Sequence, residues 1–253
     1  KENYDTTTNI KNAIQSIKND LIDEQTKTST ESYDGENLDK ISTSGNYHYT
    51  GEITTTITIQ KNSGIVHLYL ENAKFSSPGA KIIDSKSGVN LIITLIGENT
   101  ISNPSETSTN AITTNQDITI NGQGSLTITS SKNGIKSDGK FYGFGGTITI
   151  RSKNHGINSD SLYLDGINKN IEETGDGKDG LHAETDYDGV SEVPSFDFLK
   201  GFIYIESGTI NIKKIKGDGI KADSFVYIVG GNINIETIAI WETFVATSSR
   251  MKG

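Results

Sequence analysis

A six-residue signature occurs four times in the second half of the chain: Asn133-Gly134-Ile135-Lys136-Ser137-Asp138, His155-Gly156-Ile157-Asn158-Ser159-Asp160, Asp179-Gly180-Leu181-His182-Ala183-Glu184 and Asp218-Gly219-Ile220-Lys221-Ala222-Asp223. Each copy runs polar residue, Gly, Ile or Leu, polar residue, Ser or Ala, acid. The glycines are 22, 24 and 39 residues apart (156−134, 180−156, 219−180). Two steps in the low twenties and one lengthened by an insertion are the spacing of a solenoid.

From Ile41 onward, polar and apolar residues alternate in short runs rich in Ile, Thr and Val and bounded by Gly, Asn and Ser. That is the pattern of short strands. One period can be read directly. Ser125-Leu126-Thr127-Ile128 is one strand, the signature around Ile135 the second and Phe141 to Phe144 the third. Gly146-Thr147-Ile148-Thr149-Ile150 then restarts the cycle, 22 residues on (148−126). A sandwich also has short strands, but it does not repeat one hexapeptide in register. Three strands and three corners predict an all-β, parallel β-helix, right-handed because parallel crossovers nearly always are.

Asn110-Ala111-Ile112-Thr113-Thr114-Asn115 has the shape of the signature without its acid, and Ala80-Lys81-Ile82-Ile83-Asp84 is a looser copy. Residues 1–40 form a separate polar segment ahead of a parallel β-helix domain over 41–253. In it, Ile10, Ile14, Ile17 and Leu21 recur at helical spacing, which predicts either a short helix capping the first coil or a disordered leader, followed by a linker over 25–40. Asp186 to Lys200 reads as an insertion that replaces the third strand of the Glu184 coil; loops of this length are often functional. From Ile238 to Gly253 the repeat is lost, around the single Trp241, and a terminal cap is expected.

Only 32% of residues are hydrophobic, low for a compact globule but enough for the narrow core of a solenoid. The net charge of −9 and the presence of two arginines, Arg151 and Arg250, exclude the clustered cations of a nucleic-acid binder. The absence of cysteine excludes disulfide and thiolate chemistry. No run of about 18 apolar residues is present, so no membrane span is expected.

Side chains alternate along a strand, so Ile135 and Ser137 point inward while Lys136 and Asp138 point outward. Stacking then builds rows on one outer face. One is Asp138, Asp160, Glu184, Asp223; beside it run Lys136, Asn158, His182, Lys221; before the glycines lie Asn133, His155, Asp179, Asp218. Acids stacked about 4.7–4.9 Å apart repel by on the order of 3 kcal/mol per pair at an effective dielectric near 20. Either the side chains splay apart as a solvated charged face, or calcium answers this, because oxygens on opposite sides of one ion are about 4.6–5.2 Å apart. Asp179, Glu184, Asp218 and Asp223 make the best calcium set, with Asp160–Glu184 and Asp138–Asp160 as further pairs, and backbone carbonyls at corners held open by the signature glycines completing the shell. Zinc is not expected, since Cys is absent and His155 and His182 read as isolated among acids.

A second outward row follows: Tyr142, Tyr163, Tyr204 and Tyr227. Its rings either stack on one another to stabilise the sheet or offer faces to sugars.

The segments Gly217-Asp218-Gly219-Ile220-Lys221-Ala222-Asp223 and Asp179-Gly180-Leu181-His182-Ala183-Glu184-Thr185 resemble a known hallmark repeat. So do Gly201-Phe202-Ile203-Tyr204-Ile205-Glu206-Ser207-Gly208-Thr209-Ile210 and Asp117-Ile118-Thr119-Ile120-Asn121-Gly122-Gln123-Gly124-Ser125-Leu126. The family is the bacterial carbohydrate-binding domain-containing β-helix group, a distant relative of pectate-cleaving polysaccharide lyases, and the resemblance covers residues 41–235. It implies a secreted or cell-surface protein that binds calcium and plant-wall polysaccharide (cellulose or acidic sugars such as polygalacturonate). The family's calcium-type acids fall on Asp160, Asp179, Glu184, Asp218 and Asp223. The long insertion and the missing final coils depart from its pattern.

Non-catalytic carbohydrate binding is the leading expectation, with Tyr142, Tyr163, Tyr204, Tyr227, Lys136, Lys221 and His182 as the sugar-facing residues. The enzyme alternative is a calcium-dependent lyase acting by β-elimination, with Lys221 or Lys136 as base. Acids beside those lysines disfavour the neutral amine such a base needs. The third alternative is an adhesin or structural solenoid. Ice binding through Thr127, Thr129, Thr147 and Thr149 fails because Asn211 and Asn234 replace Thr in later coils.

Overall fold

The computed structural model describes residues 33–77, 80–104, 107–184 and 200–237, with seven single positions between 8 and 19 that are all helical. Its strands stack as a parallel β-solenoid. One ladder has eight strands and carries the signature: Lys40–Ile41, Ile57–Ile59, Ile83–Ser85, Ile112–Thr114, Ile135–Ser137, Ile157–Ser159, Leu181–Ala183 and Ile220–Ala222. The register superposes the signatures, pairing Ile112 with Ile135, Ile135 with Ile157, Ile157 with Leu181 and Leu181 with Ile220. The acid-free copy at Ile112 is thus a genuine coil, as is Ile83 before it.

The other two ladders begin as one bent sheet. Gly45–Ile53 and Gly64–Ser76 run through the corner unbroken. Later coils divide there into a second ladder (Val89–Ile96, Ile118–Gly122, Lys140–Phe144, Ser161–Asp165, Phe202–Ile205, Phe225–Ile228) and a third (Glu98–Asn103, Ser125–Ser130, Thr147–Ser152, Asn168–Glu173, Thr209–Ile215, Asn232–Thr237). Gly122 marks the division: its φ is +104°, and a Cβ there would lie 2.4 Å from the Leu95 carbonyl oxygen, so only glycine turns the chain.

Strand pairing starts at Gly35, which is opposite Tyr47, inside the segment expected as linker. The expected insertion does not replace a strand of the Glu184 coil. Phe202–Ile205 follows it and pairs with both Ser161–Asp165 and Phe225–Ile228; residues 186–199 of the insertion lie outside the described residues. Ile10, Ile14, Ile17, Leu21 and the segment from Ile238 to Gly253 lie outside the described residues. Lys18, in the helical stretch, pairs with Asp165 at the end of a second-ladder strand. Among the described residues no helix is long and apolar enough to cross a membrane.

The core is a set of columns. Ile57, Ile83, Ile112, Ile135, Ile157 and Leu181 are fully buried, each worth about 1.5–3 kcal/mol of apolar burial. Beside them Ser85, Thr114, Ser137, Ser159 and Ala183 are equally buried, small enough to let the ladder meet its neighbours. The signature glycines serve close packing. A Cβ on Gly180 would lie 2.6 Å from the Gly219 carbonyl oxygen and 3.0 Å from the Ile212 side chain. Gly134 and Gly156 face the same restriction at Gly156 and Gly180. We expect Gly180→Ala to lower the melting temperature by several degrees, since backbone on the next coil has no room to yield.

One column breaks the rule. Lys169 stands between Ile148 and Ile210, is fully buried and has no hydrogen-bond partner for its Nζ. Its Nζ sits 4.4 Å from the centre of the Phe141 ring, and Gly143 leaves it space, since a Cβ there would lie 3.0 Å from it. Burial pulls its pKa well below the ordinary 10.5. Above that pH the amine is neutral in the folded and unfolded chains alike. Below it the unfolded chain takes up a proton that the core disfavours, so stability falls by about 1.4 kcal/mol per pH unit until the lowered folded pKa is reached. Lys169→Met is expected to raise stability at neutral pH by roughly 1–3 kcal/mol. Denaturant melts from neutral to mildly alkaline pH should also rise less steeply in the variant than in the wild type.

Candidate functional site

The residue before each signature glycine builds a ladder of its own. The Asn133 amide donates to Asn110 Oδ1 (3.3 Å) and the His155 amide to Asn133 Oδ1 (3.1 Å). The Asp179 amide donates to His155 Nδ1 (2.9 Å) and the Asp218 amide to Asp179 Oδ1 (2.9 Å). Each side chain thus satisfies the amide of the same corner one coil later. The corner carbonyls are also engaged: Gly156, Gly180 and Gly219 accept from the amides of Ile135, Ile157 and Leu181.

The expected alternation holds. Ile135 and Ser137 are fully buried, Lys136 is partly exposed, and Lys136, Asn158, His182 and Lys221 stand in one register. Within the acid row, charges are met by lysines. Lys136 Nζ contacts Glu184 at 2.7 Å, Asn158 Oδ1 at 2.8 Å and Asp138 at 3.7 Å, reaching past the Asn158 coil. Asp160 has turned away from the row. Its corner is one residue shorter than that of Asp138, its amide donates to Gly139, and its carboxylate meets Lys200 at 2.7 Å. Asp218, Asp223 and Lys221 are exposed. The repulsion that favoured calcium is thereby relieved at Asp138, Asp160 and Glu184 by cations of the chain itself.

His155 and His182 are not isolated. Adjacent coils bring their rings together at 4.5 Å between centres, around the buried carboxylate of Asp179. Asp179 Oδ2 lies 3.3 Å from His155 Nδ1 and 3.4 Å from His182 Nδ1. Burial, reinforced by His155 and Lys221, lowers the His182 pKa against the pull of Asp179 and Glu184. Burial alone would raise the pKa of Asp179, but His155, the Asp218 amide and His182 bring it below the usual carboxylate range.

The tyrosine row is also in register, Tyr142 with Tyr163, Tyr204 and Tyr227 in turn. Tyr142, Tyr163 and Tyr204 are 7%, 2% and 0% exposed. Tyr142 stacks on Tyr163 at 4.9 Å, and Tyr204 on Tyr227 at 5.7 Å. In this conformation the first three offer no open ring face; Tyr227 is partly exposed.

The third ladder carries an outward row that the replacement of Thr by Asn does not interrupt. Thr100, Thr127, Thr149, Asn170, Asn211 and Asn234 stand opposite one another in successive coils. The change from Thr to Asn continues the row. Asn170 Nδ2 donates to Thr149 Oγ1 (3.4 Å), Asn211 Nδ2 to Asn170 Oδ1 (3.0 Å) and Asn234 Nδ2 to Asn211 Oδ1 (2.9 Å). The signal was present, since each of Thr127, Thr149, Asn170, Asn211 and Asn234 directly precedes a core Ile. Ser125, Thr147, Asn168 and Asn232 lie on the same face two residues earlier in their strands. At the corner between the second and third ladders runs an open groove of about 960 Å³, lined in part by Glu98, Gln123, Ser125, Phe144 and Thr147.

The Lys136 hub is testable. Burial raises the Glu184 pKa, but the Lys136 hydrogen bond and charge, Asn158 and His182 bring it net below the ordinary 4.5. A depressed carboxylate contributes stability above its unfolded pKa and loses it as pH falls through the folded one. Lys136→Met is therefore expected to cost about 1 kcal/mol or less at neutral pH, after solvent screening at the half-exposed Glu184. The difference from wild type in urea melts should disappear in acid below the usual carboxylate range.

Comparison with known proteins gives one family. A family model described as carbohydrate-binding domain-containing protein matches residues 34–252. No curated protein and no solved structure matches the chain. The model spans the whole described solenoid, and the chain belongs to the carbohydrate-binding domain-containing family.

Proposed function

We propose that the protein is a non-catalytic module, secreted or displayed at the cell surface, that holds an uncharged polysaccharide such as cellulose along the Thr/Asn face and the adjoining corner groove. The observation that carries this reading is the side-chain ladder Thr149–Asn170–Asn211–Asn234. An Asn side chain has two donors and a carbonyl with two lone pairs. The ladder uses one donor and one acceptor site, leaving the rest for sugar hydroxyls at a repeat of about 4.7–4.9 Å. Phe144 in the groove supplies a ring for the apolar face of a sugar. The other two faces fit less well, since the signature face pairs its charges internally and the tyrosine face is largely buried.

Lys136 bears on the lyase alternative. Its ammonium is engaged by Glu184 and Asn158, which favours the non-catalytic reading over its use as a proton acceptor. A second, calcium-bridged contact with polygalacturonate rests on the exposed Asp218 and Asp223 beside Glu184, because a chain of charge −9 repels a polyanion unless a cation intervenes.

Affinity electrophoresis and pull-down on cellulose and polygalacturonate, each with calcium or with chelator, test both readings. Asn211→Ala and Phe144→Ala are expected to weaken cellulose retention about fivefold each, the loss of ~1 kcal/mol, with no dependence on chelator. Unchanged retention in both variants overturns the Thr/Asn reading. Polygalacturonate retention that survives the chelator, or Asp218→Ala with Asp223→Ala, overturns the calcium bridge. Appearance of unsaturated uronate products overturns the non-catalytic assignment.

A further inference from the structure

We propose that His155, Asp179 and His182 bind one divalent transition-metal ion of the zinc class. This goes beyond carbohydrate binding and does not rest on it. One donor atom from each residue lies within 4.8 Å of the others. Asp179 Oδ2 stands 3.3 Å from His155 Nδ1 and 3.4 Å from His182 Nδ1. A four-coordinate ion bound at about 2.0–2.1 Å to nitrogen and oxygen holds neighbouring ligand atoms about 3.3 Å apart, the edge of its tetrahedron. Both gaps match that edge and share the same oxygen. The other carboxylate oxygen, Oδ1, accepts the Asp218 amide at 2.9 Å. That bond aims Oδ2 at the two rings, as outer hydrogen bonds orient metal-ligating carboxylates.

The independent observation is at His182. The residue is 8% exposed, and its Nδ1 is buried without a hydrogen-bond partner. A buried nitrogen left in this way calls for an explanation, and an ion shared with Asp179 supplies the missing partner. The chemistry of the donors agrees. Two imidazoles and one carboxylate suit zinc, cobalt, nickel or copper; calcium takes six to eight oxygens. Loading exchanges one bond, because His155 Nδ1 also accepts the Asp179 amide at 2.9 Å. Three protein ligands leave the fourth position to water.

The test uses the full chain after chelator treatment, titrated with Co²⁺ and then Zn²⁺ and followed by visible absorption and calorimetry. We expect one ion per chain, the ligand-field bands of four-coordinate cobalt, loss of those bands on adding Zn²⁺, and no displacement by a large excess of Ca²⁺. His182→Ala removes a ring nitrogen that bonds to nothing, and Asp179→Asn keeps an oxygen for the Asp218 amide. Thermal melts confirm that the two variants are folded, and both are expected to lose saturable cobalt binding. Failure of the wild type to take up stoichiometric Co²⁺ or Zn²⁺ overturns the site, as does unchanged binding in the two variants.

Discussion

Stacking of successive coils in parallel register, about 4.7–4.9 Å apart, is the constraint on which the rest of this structure depends. Every side chain on a ladder meets its counterpart from the coil before and the coil after. A position in the repeat therefore becomes a row, and each row must tolerate its own repetition. Isoleucine does so by packing on isoleucine, as at Ile112, Ile135 and Ile157. Asparagine does so by passing a hydrogen bond along the row, as at Asn170, Asn211 and Asn234. Carboxylates cannot, and the acid row shows the consequence: Asp160 leaves it for Lys200, and Lys136 reaches across a coil to Glu184.

The same constraint assigns different tasks to the three outer faces. The signature face is charged and largely self-satisfied, with its corner residues capping amides from coil to coil. The tyrosine face is closed, since Tyr163 and Tyr204 are buried. The Thr/Asn face is polar, regular and accessible, and it borders the groove that holds Phe144. A sugar polymer needs many weak, evenly spaced partners rather than one deep pocket, and it is on this regularity that the proposed function rests. Where the corner ladder changes from Asn to His and Asp, the same geometry that caps amides also gathers two imidazoles around one carboxylate. A structural device thus becomes a candidate ligand set through two changes in the corner ladder and a third position, His182, in the neighbouring row.

Much of the fold was legible because periodicity is a one-dimensional signal. The glycine spacing predicted the coil, alternation at Ile135 and Ser137 predicted the core, and the acid-free copy at Ile112 extended the solenoid upstream. The next strand of the Glu184 coil is not legible at the usual distance along the chain, because Phe202–Ile205 resumes the ladder only after the insertion. Asn168–Glu173 is polar at most positions, so it joins the third ladder through its place in the stack more than through composition. Lys169 could not be identified as a core residue, because an isolated lysine in a polar strand reads as solvent-facing until its neighbours Ile148 and Ile210 are known.

The sequence by itself determined the repeat, the inward and outward sides of each strand, and the residue types that form rows, because all of these follow from period two within a strand and about 22 residues between coils. The tertiary structure decided which members of a row touch. Whether an acid faces another acid or a lysine depends on corner length and side-chain reach, as Asp160 and Lys136 demonstrate. Whether two histidines 27 residues apart (182−155) are strangers or neighbours depends on one full turn of the chain closing at the correct height. Contacts across coils are set by three-dimensional closure, and a linear pattern carries no measure of it.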